Sequence, residues 1–155
     1  MKKIYLSVVC LLISIPLIAQ LYVEPEKEVE CSVFLAKEGR GRAQQGLEIW
    51  DDYIFSCEDG GHVNIYDFKS ADPKPVAGFE LASSHPDNHV NNVCFGVETK
   101  RGASFPLLYI TNGKVGSELE WLCFVESITR RGKRFSSEIA QTIELDGSKW
   151  AEKGY

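Results

Sequence analysis

From Tyr53 to Phe68 the chain reads Tyr-Ile-Phe-Ser-Cys-Glu-Asp-Gly-Gly-His-Val-Asn-Ile-Tyr-Asp-Phe. Asp59-Gly60-Gly61 stands at the centre of this stretch. Glycine reaches positive φ without a Cβ clash, so the tripeptide predicts a tight reversal. Both arms are rich in aromatic and β-branched residues, which suit a pleated, packed surface. The stretch is therefore expected to be a β-hairpin, with Asp67 where its second strand ends.

Strand-like runs continue on both sides. Residues 45–50 form one, and Asp51-Asp52 turns the chain into 53–58. The arm 63–68 follows, then a loop at 69–74 punctuated by Asp72-Pro73, then a shorter strand at 76–82. A second quartet is predicted at 89–96, 105–111, 118–129 and 135–145. Pro106 falls near the start of its strand, where a missing N–H is tolerated. Upstream, the first part of 28–37 alternates polar and apolar residues, and the segment reads as an extra, half-buried N-terminal strand. No amphipathic helix of useful length appears, which disfavours an α/β fold. The runs Leu107-Leu108-Tyr109-Ile110 and Trp121-Leu122-Cys123-Phe124-Val125 do not alternate, so they predict strands buried on both faces.

The two quartets can be overlaid. Gln45 coincides with Asn91, Leu47 with Val93 and Ile49 with Phe95, at an offset of 46 residues. Propeller blades repeat at about 40–50 residues. With the Asp-Gly-Gly hairpin, Gln-Gly-Leu-Glu-Ile-Trp-Asp-Asp-Tyr-Ile-Phe, and Asp-Asn-His-Val-Asn-Asn-Val-Cys-Phe-Gly before Phe-Pro-Leu-Leu-Tyr-Ile, residues 45–145 resemble two consecutive blades of exported bacterial multi-bladed β-propeller repeat proteins whose function is uncharacterised. The resemblance covers about two thirds of the chain, and its motifs are structural. It implies a fold and carries no activity with it. The expected architecture is all-β: a partial β-propeller with blades at 45–82 and 89–145, the extra strand, and an incomplete third unit at 146–155. Propellers close with about four to eight blades. Two blades therefore point to a truncated chain, or to self-association through open blade faces, or to closure of the sheets on each other as a β-sandwich.

Lys2 and Lys3 precede an almost wholly apolar run at 4–18, and Ala19-Gln20 offers a cleavage point. This is the pattern of a secretory signal at 1–19, too short for a membrane span and without a stop-transfer signal. The expected location is periplasmic, outer-surface or secreted. Cys10 lies inside the apolar run, unlike a lipoprotein cysteine. Cys31, Cys57, Cys94 and Cys123 remain in the mature chain, each in an apolar strand-like run. Buried thiols are expected there, with a disulfide as the alternative. Their wide spacing excludes a Cys-x-x-Cys metal or redox site. The net charge of −5 gives no general attraction to nucleic acid or to an anionic membrane surface.

The densest polar cluster is Ser-Ser-His-Pro-Asp-Asn-His-Val-Asn-Asn at 83–92. In a propeller it would join one blade to the next at a channel mouth. His85, Asp87 and His89 could converge on a metal or act as acid and base, since imidazole and carboxylate suit both tasks. Pro86, Asp87 and Asn88 are also ordinary turn formers, and Asn91 and Asn92 can bond nearby backbone. Gln45 and Asn91 could face a shared channel and hold sugar hydroxyls, or bond between blades. The ligand-binding candidates are thus Gln45, His85, Asp87, His89, Asn91 and Asn92, with no cofactor implied.

Other polar groups carry weaker signals. Gly39-Arg40-Gly41-Arg42 is not followed by a helix and reads as a basic loop. Glu48, Asp51, Asp52, Glu58 and Asp59 match neither a calcium loop nor a paired glycosidase site by spacing. Ser83, Ser84, Ser136 and Ser137 lack a nucleophile elbow. His62 and the basic tip at 130–134 are expected to be solvated, although the tip could touch an acidic partner. Trp50, Tyr53, Tyr66, Tyr109 and Trp121 are expected in strands and core. The leading expectation is a non-enzymatic module that binds a small molecule, glycan or protein. The alternatives are a hydrolase or lyase acting on a carbohydrate or small ester, and an inactive fragment.

Overall fold

The computed structural model describes residues 43–146. The predicted signal at 1–19, Cys10, Cys31, the strand at 28–37, the loop at 39–42 and residues 147–155 of the third unit lie outside the described residues.

Asp51, at φ 55°, begins the reversal between β1 (Gln44–Trp50) and β2 (Tyr53–Glu58). Gly60 and Gly61, at φ 87° and 94°, carry the chain into β3 (His62–Asp67), and β4 (Ala77–Glu80) completes an antiparallel sheet in sequence order. The second sheet repeats this meander with β5 (Asn92–Phe95), β6 (Leu108–Thr111), β7 (Leu122–Arg131) and β8 (Arg134–Glu144). Among the described residues there is no helix. The protein is all-β, as its sequence predicts, with two four-stranded antiparallel sheets.

The sheets lie face to face, β1 beside β5 and β4 beside β8. Neighbouring propeller blades and a two-layer sandwich both meet this description. Phe55, Cys57, Val63, Ile65 and Phe79 of the first sheet pack against Val93, Leu108, Ile110, Phe124, Ile128 and Phe135 of the second. The Phe55 ring meets Phe95 at 5.0 Å and Phe105 at 5.2 Å, both edge-on. Such pairs each contribute about 0.5–1.5 kcal/mol beyond area burial. β1 comes close to β5 because Gly46 has no side chain; a Cβ there would lie 3.0 Å from the Val93 side chain and from the Val90 carbonyl.

One carboxylate lies within this interface. Glu126 is fully buried, and its oxygens accept from the amides of Ala82 (2.9 Å) and Ser83 (2.8 Å). It thereby fastens the segment 81–91, which links the sheets, to the middle of β7. The Cys57 thiol is pushed up to about 12, chiefly by burial and then by the charge of Glu126.

Several expectations need correction. The strand expected at 89–96 is confined to β5, because Val90 takes φ 37° and breaks the extended path. The strand expected from 105 begins at Leu108, after Pro106. Residues 118–121 form turns, with Glu120 and Leu122 amides donating to the Ser117 and Leu119 carbonyls. β4 is also shorter than 76–82. Non-alternation did mark two-face burial in β7, where every residue from Cys123 to Ile128 is buried, but Tyr109 in β6 is only half-buried.

Side-chain placement brings further corrections. Cys57, Cys94 and Cys123 are free thiols, but Cys94 is exposed, on the face of β5 turned away from the core. Trp50 and Trp121 are 41% and 46% exposed, and Trp121 lies in a turn. His62 is half-buried and reaches Glu80. Arg130 is exposed, as expected of the basic tip, and its guanidinium lies 4.9 Å from the centre of the Tyr53 ring, a cation–π contact between the sheets.

Candidate functional site

At one end of the sheets the turn at 59–61, the linking segment 81–91 and the turn after β6 come together. The hairpin turn supports the link. Gly60 N donates to the Asn88 carbonyl at 2.8 Å, Leu81 N to the Gly61 carbonyl at 2.8 Å, and Ser84 Oγ to the Gly60 carbonyl at 2.6 Å. A Cβ on Gly61 would lie 2.8 Å from Ser84 Cα, so only glycine permits this approach.

Asn88, fully buried, organises the link. Its Nδ2 donates to the Ser83 carbonyl and hydroxyl, and its Oδ1 accepts from Val90 N at 3.1 Å. These bonds hold Val90 at positive φ, a conformation that β-branched residues rarely adopt. Such strain persists only where surrounding contacts enforce it, and it concentrates at functional sites. The next anchor is Asn112, whose Oδ1 accepts from His89 N at 2.9 Å.

His89 is thereby fixed over an open depression of about 430 Å³ lined by Asp59, Pro86, His89 and Lys114. Its Nε2 lies 3.1 Å from Asp59 Oδ1 and 3.3 Å from Gln45 Nε2. The two contacts ask opposite things of one nitrogen. Asp59 Oδ1 forms an ion pair with the ring only when the ring is protonated, whereas the Gln45 amide can only donate, to an unprotonated Nε2. A smaller depression shares Asp59 and Pro86 and adds Gly60, His62, Glu80, Ser84 and His85. There His62 Nδ1 lies 2.9 Å from Glu80 Oε1.

The six candidates have different fates. Gln45 meets His89. His85 Nδ1 accepts from Asp87 N at 3.1 Å, a local turn contact. Asp87 pairs with Lys114, whose hydrogen bond and charge hold the carboxyl below its ordinary value. Asn91 lies against Gly113, away from the Gln45–His89 contact, and its backbone N donates to the Thr111 carbonyl. Asn92 is exposed at the start of β5. His85 thus meets Asp87 within a turn, Asp87 pairs with Lys114, and His89 meets Asp59 and Gln45, so the three do not converge on one point. Among the described residues no group of three or more His, Cys, Asp or Glu side chains is arranged to hold a metal.

Sequence reasoning missed Asp59, Asn112 and Lys114. Asp59 reads only as a turn former, and nothing local distinguishes Asn112-Gly113-Lys114 from any other turn. No protein-family model matches the chain, and no curated protein matches it significantly. The site's chemistry therefore rests on its own geometry.

Proposed function

We propose that this protein is an exported, β-propeller-like binding module that holds a polar, hydroxyl-bearing small molecule or glycan at the Asp59–His89 depression without converting it. The observation that carries this reading is His89 Nε2 held between Asp59 Oδ1 and Gln45 Nε2, on a segment strained at Val90. The depression combines the Asp59 carboxylate with the His89 imidazole and the Lys114 ammonium, a mixed set that neutral hydroxyls engage. The export reading rests on Lys2-Lys3 and the apolar run that follows.

The test is calorimetric titration of the full chain with N-acetylglucosamine, cellobiose and maltose, alongside His89→Ala and Gln45→Ala. At least one sugar should bind the parent, and both variants should weaken it about tenfold, as loss of a polar contact to the ligand does. New reducing ends during incubation, or binding unchanged in both variants, would overturn the proposal. So would the absence of heat with all three sugars.

A further inference from the structure

The β7–β8 hairpin carries a second polar feature, towards the opposite end of the sheets. Its register places Ser127 opposite Glu138, Thr129 opposite Ser136, and Arg131 opposite Arg134. Alternate residues Ile128 and Phe135 belong to the core, so these three rungs share the outer face. They line an open groove of about 880 Å³.

The arginine rung is the informative one. Like charges directly opposite on a sheet destabilise it. Among the described residues no carboxylate pairs with Arg131 or Arg134. Arg130, by contrast, turns to the other side, donating from Nε to the Gly132 carbonyl at 2.8 Å and stacking on Tyr53. The hairpin thus secures one guanidinium and leaves two facing the groove together. At the far rung Glu138 is neutralised by Lys100 Nζ at 2.8 Å, so it does not repel an anion. Between the ends stand the hydroxyls of Thr129 and Ser136, while Ser127, on the Glu138 rung, is buried.

We propose that this groove binds an acidic saccharide, with its carboxylate or sulfate between Arg131 and Arg134 and its ring hydroxyls along Thr129 and Ser136. Paired guanidinium groups match the oxygens of either acid group. The rungs extend about 13 Å along the strands, from four residues at about 3.3 Å each. That is room for a disaccharide rather than a lone ion. The chain's net charge of −5 argues against a general polyanion site.

The test titrates the full chain with digalacturonate, a sulfated disaccharide, neutral cellobiose and inorganic sulfate. One acidic disaccharide should bind. The double variant Arg131→Gln/Arg134→Gln should raise its Kd at least tenfold, whereas Lys133→Gln, which removes the same kind of charge at the turn, should change it less than twofold. Thr129→Val should weaken the disaccharide several-fold and leave sulfate unaffected. Without ligand, the double variant should melt no lower than the parent, since it removes a repulsion. Sulfate bound as tightly as the disaccharide would reduce the groove to a simple anion site and overturn the saccharide assignment. Equal effects of Lys133→Gln and the double variant, equal binding of cellobiose, or no heat at all would overturn the site.

Discussion

Cys57 shows what one residue can inherit from its surroundings. Its own chemistry is that of an ordinary thiol, but burial between the sheets, with Glu126 nearby, pushes it up to about 12 from 9.0. The unfolded thiol ionises near its ordinary value while the folded one stays protonated. Stability linked to this group is therefore full below pH 9 and is lost as pH rises from there towards 12. At about pH 10 the loss is about 1 kcal/mol. Unfolding free energies of the parent and Cys57→Ala from urea titrations should accordingly differ by about that much less at about pH 10 than at about pH 8. An unchanged gap would mean that Cys57 titrates freely in the folded protein. Asn88 makes the same point without titration. Its sequence reading as a turn former is true, but its burial and its bonds to Ser83 and Val90 are conferred by the hairpin turn beneath it.

Among the elements, the β2–β3 hairpin was the most legible, because Asp-Gly-Gly and its β-rich arms specify it locally. Its second role was not legible. Gly61 needs positive φ for the turn, and it also leaves room for Ser84, a residue 23 positions later. Gly116 has φ 78° as well, but a Cβ there would meet nothing within 4 Å. The two glycines therefore separate backbone strain from crowding. Gly116→Ala should cost about 1–2 kcal/mol, the penalty of the left-handed region alone. Gly61→Ala should cost about 1–3 kcal/mol more, because a backbone atom must move. Chemical denaturation of both variants measures the difference, and equal losses would show that the turn does not support the linking segment. Strand ends were less legible where turns depend on distant partners. Val90 and the alternating Glu-Leu-Glu-Trp at 118–121 suit strands, yet both segments turn.

For the whole molecule, Glu126 decides how the linking segment sits against the second sheet. A buried carboxylate with two backbone donors is worth more than a neutral hydrogen bond, and its removal leaves those donors in a dry interface. Glu126→Ala should lower stability by about 2–4 kcal/mol and speed hydrogen exchange at the Ser83 amide. Glu118→Ala, at an exposed position, should change stability by less than about 0.5 kcal/mol. Similar effects of the two substitutions would remove Glu126 from this role. Nothing in the sequence marked Glu126, since it stands in an apolar run as one charged residue among many.

Period-two patterning, turn chemistry and the 46-residue offset were enough to determine the all-β class and the two four-stranded sheets. These signals are local, and they act through backbone conformations that neighbouring residues alone can favour. Which side chains meet was decided only by the tertiary structure. His89 reaches Asp59 across 30 positions, Arg130 lies over the Tyr53 ring, and Cys94 faces outward from an apolar run. Alternation tells which residues share a face of a strand. It does not tell which face another sheet will cover, nor how one loop will rest on another, because those depend on packing between segments far apart in the chain.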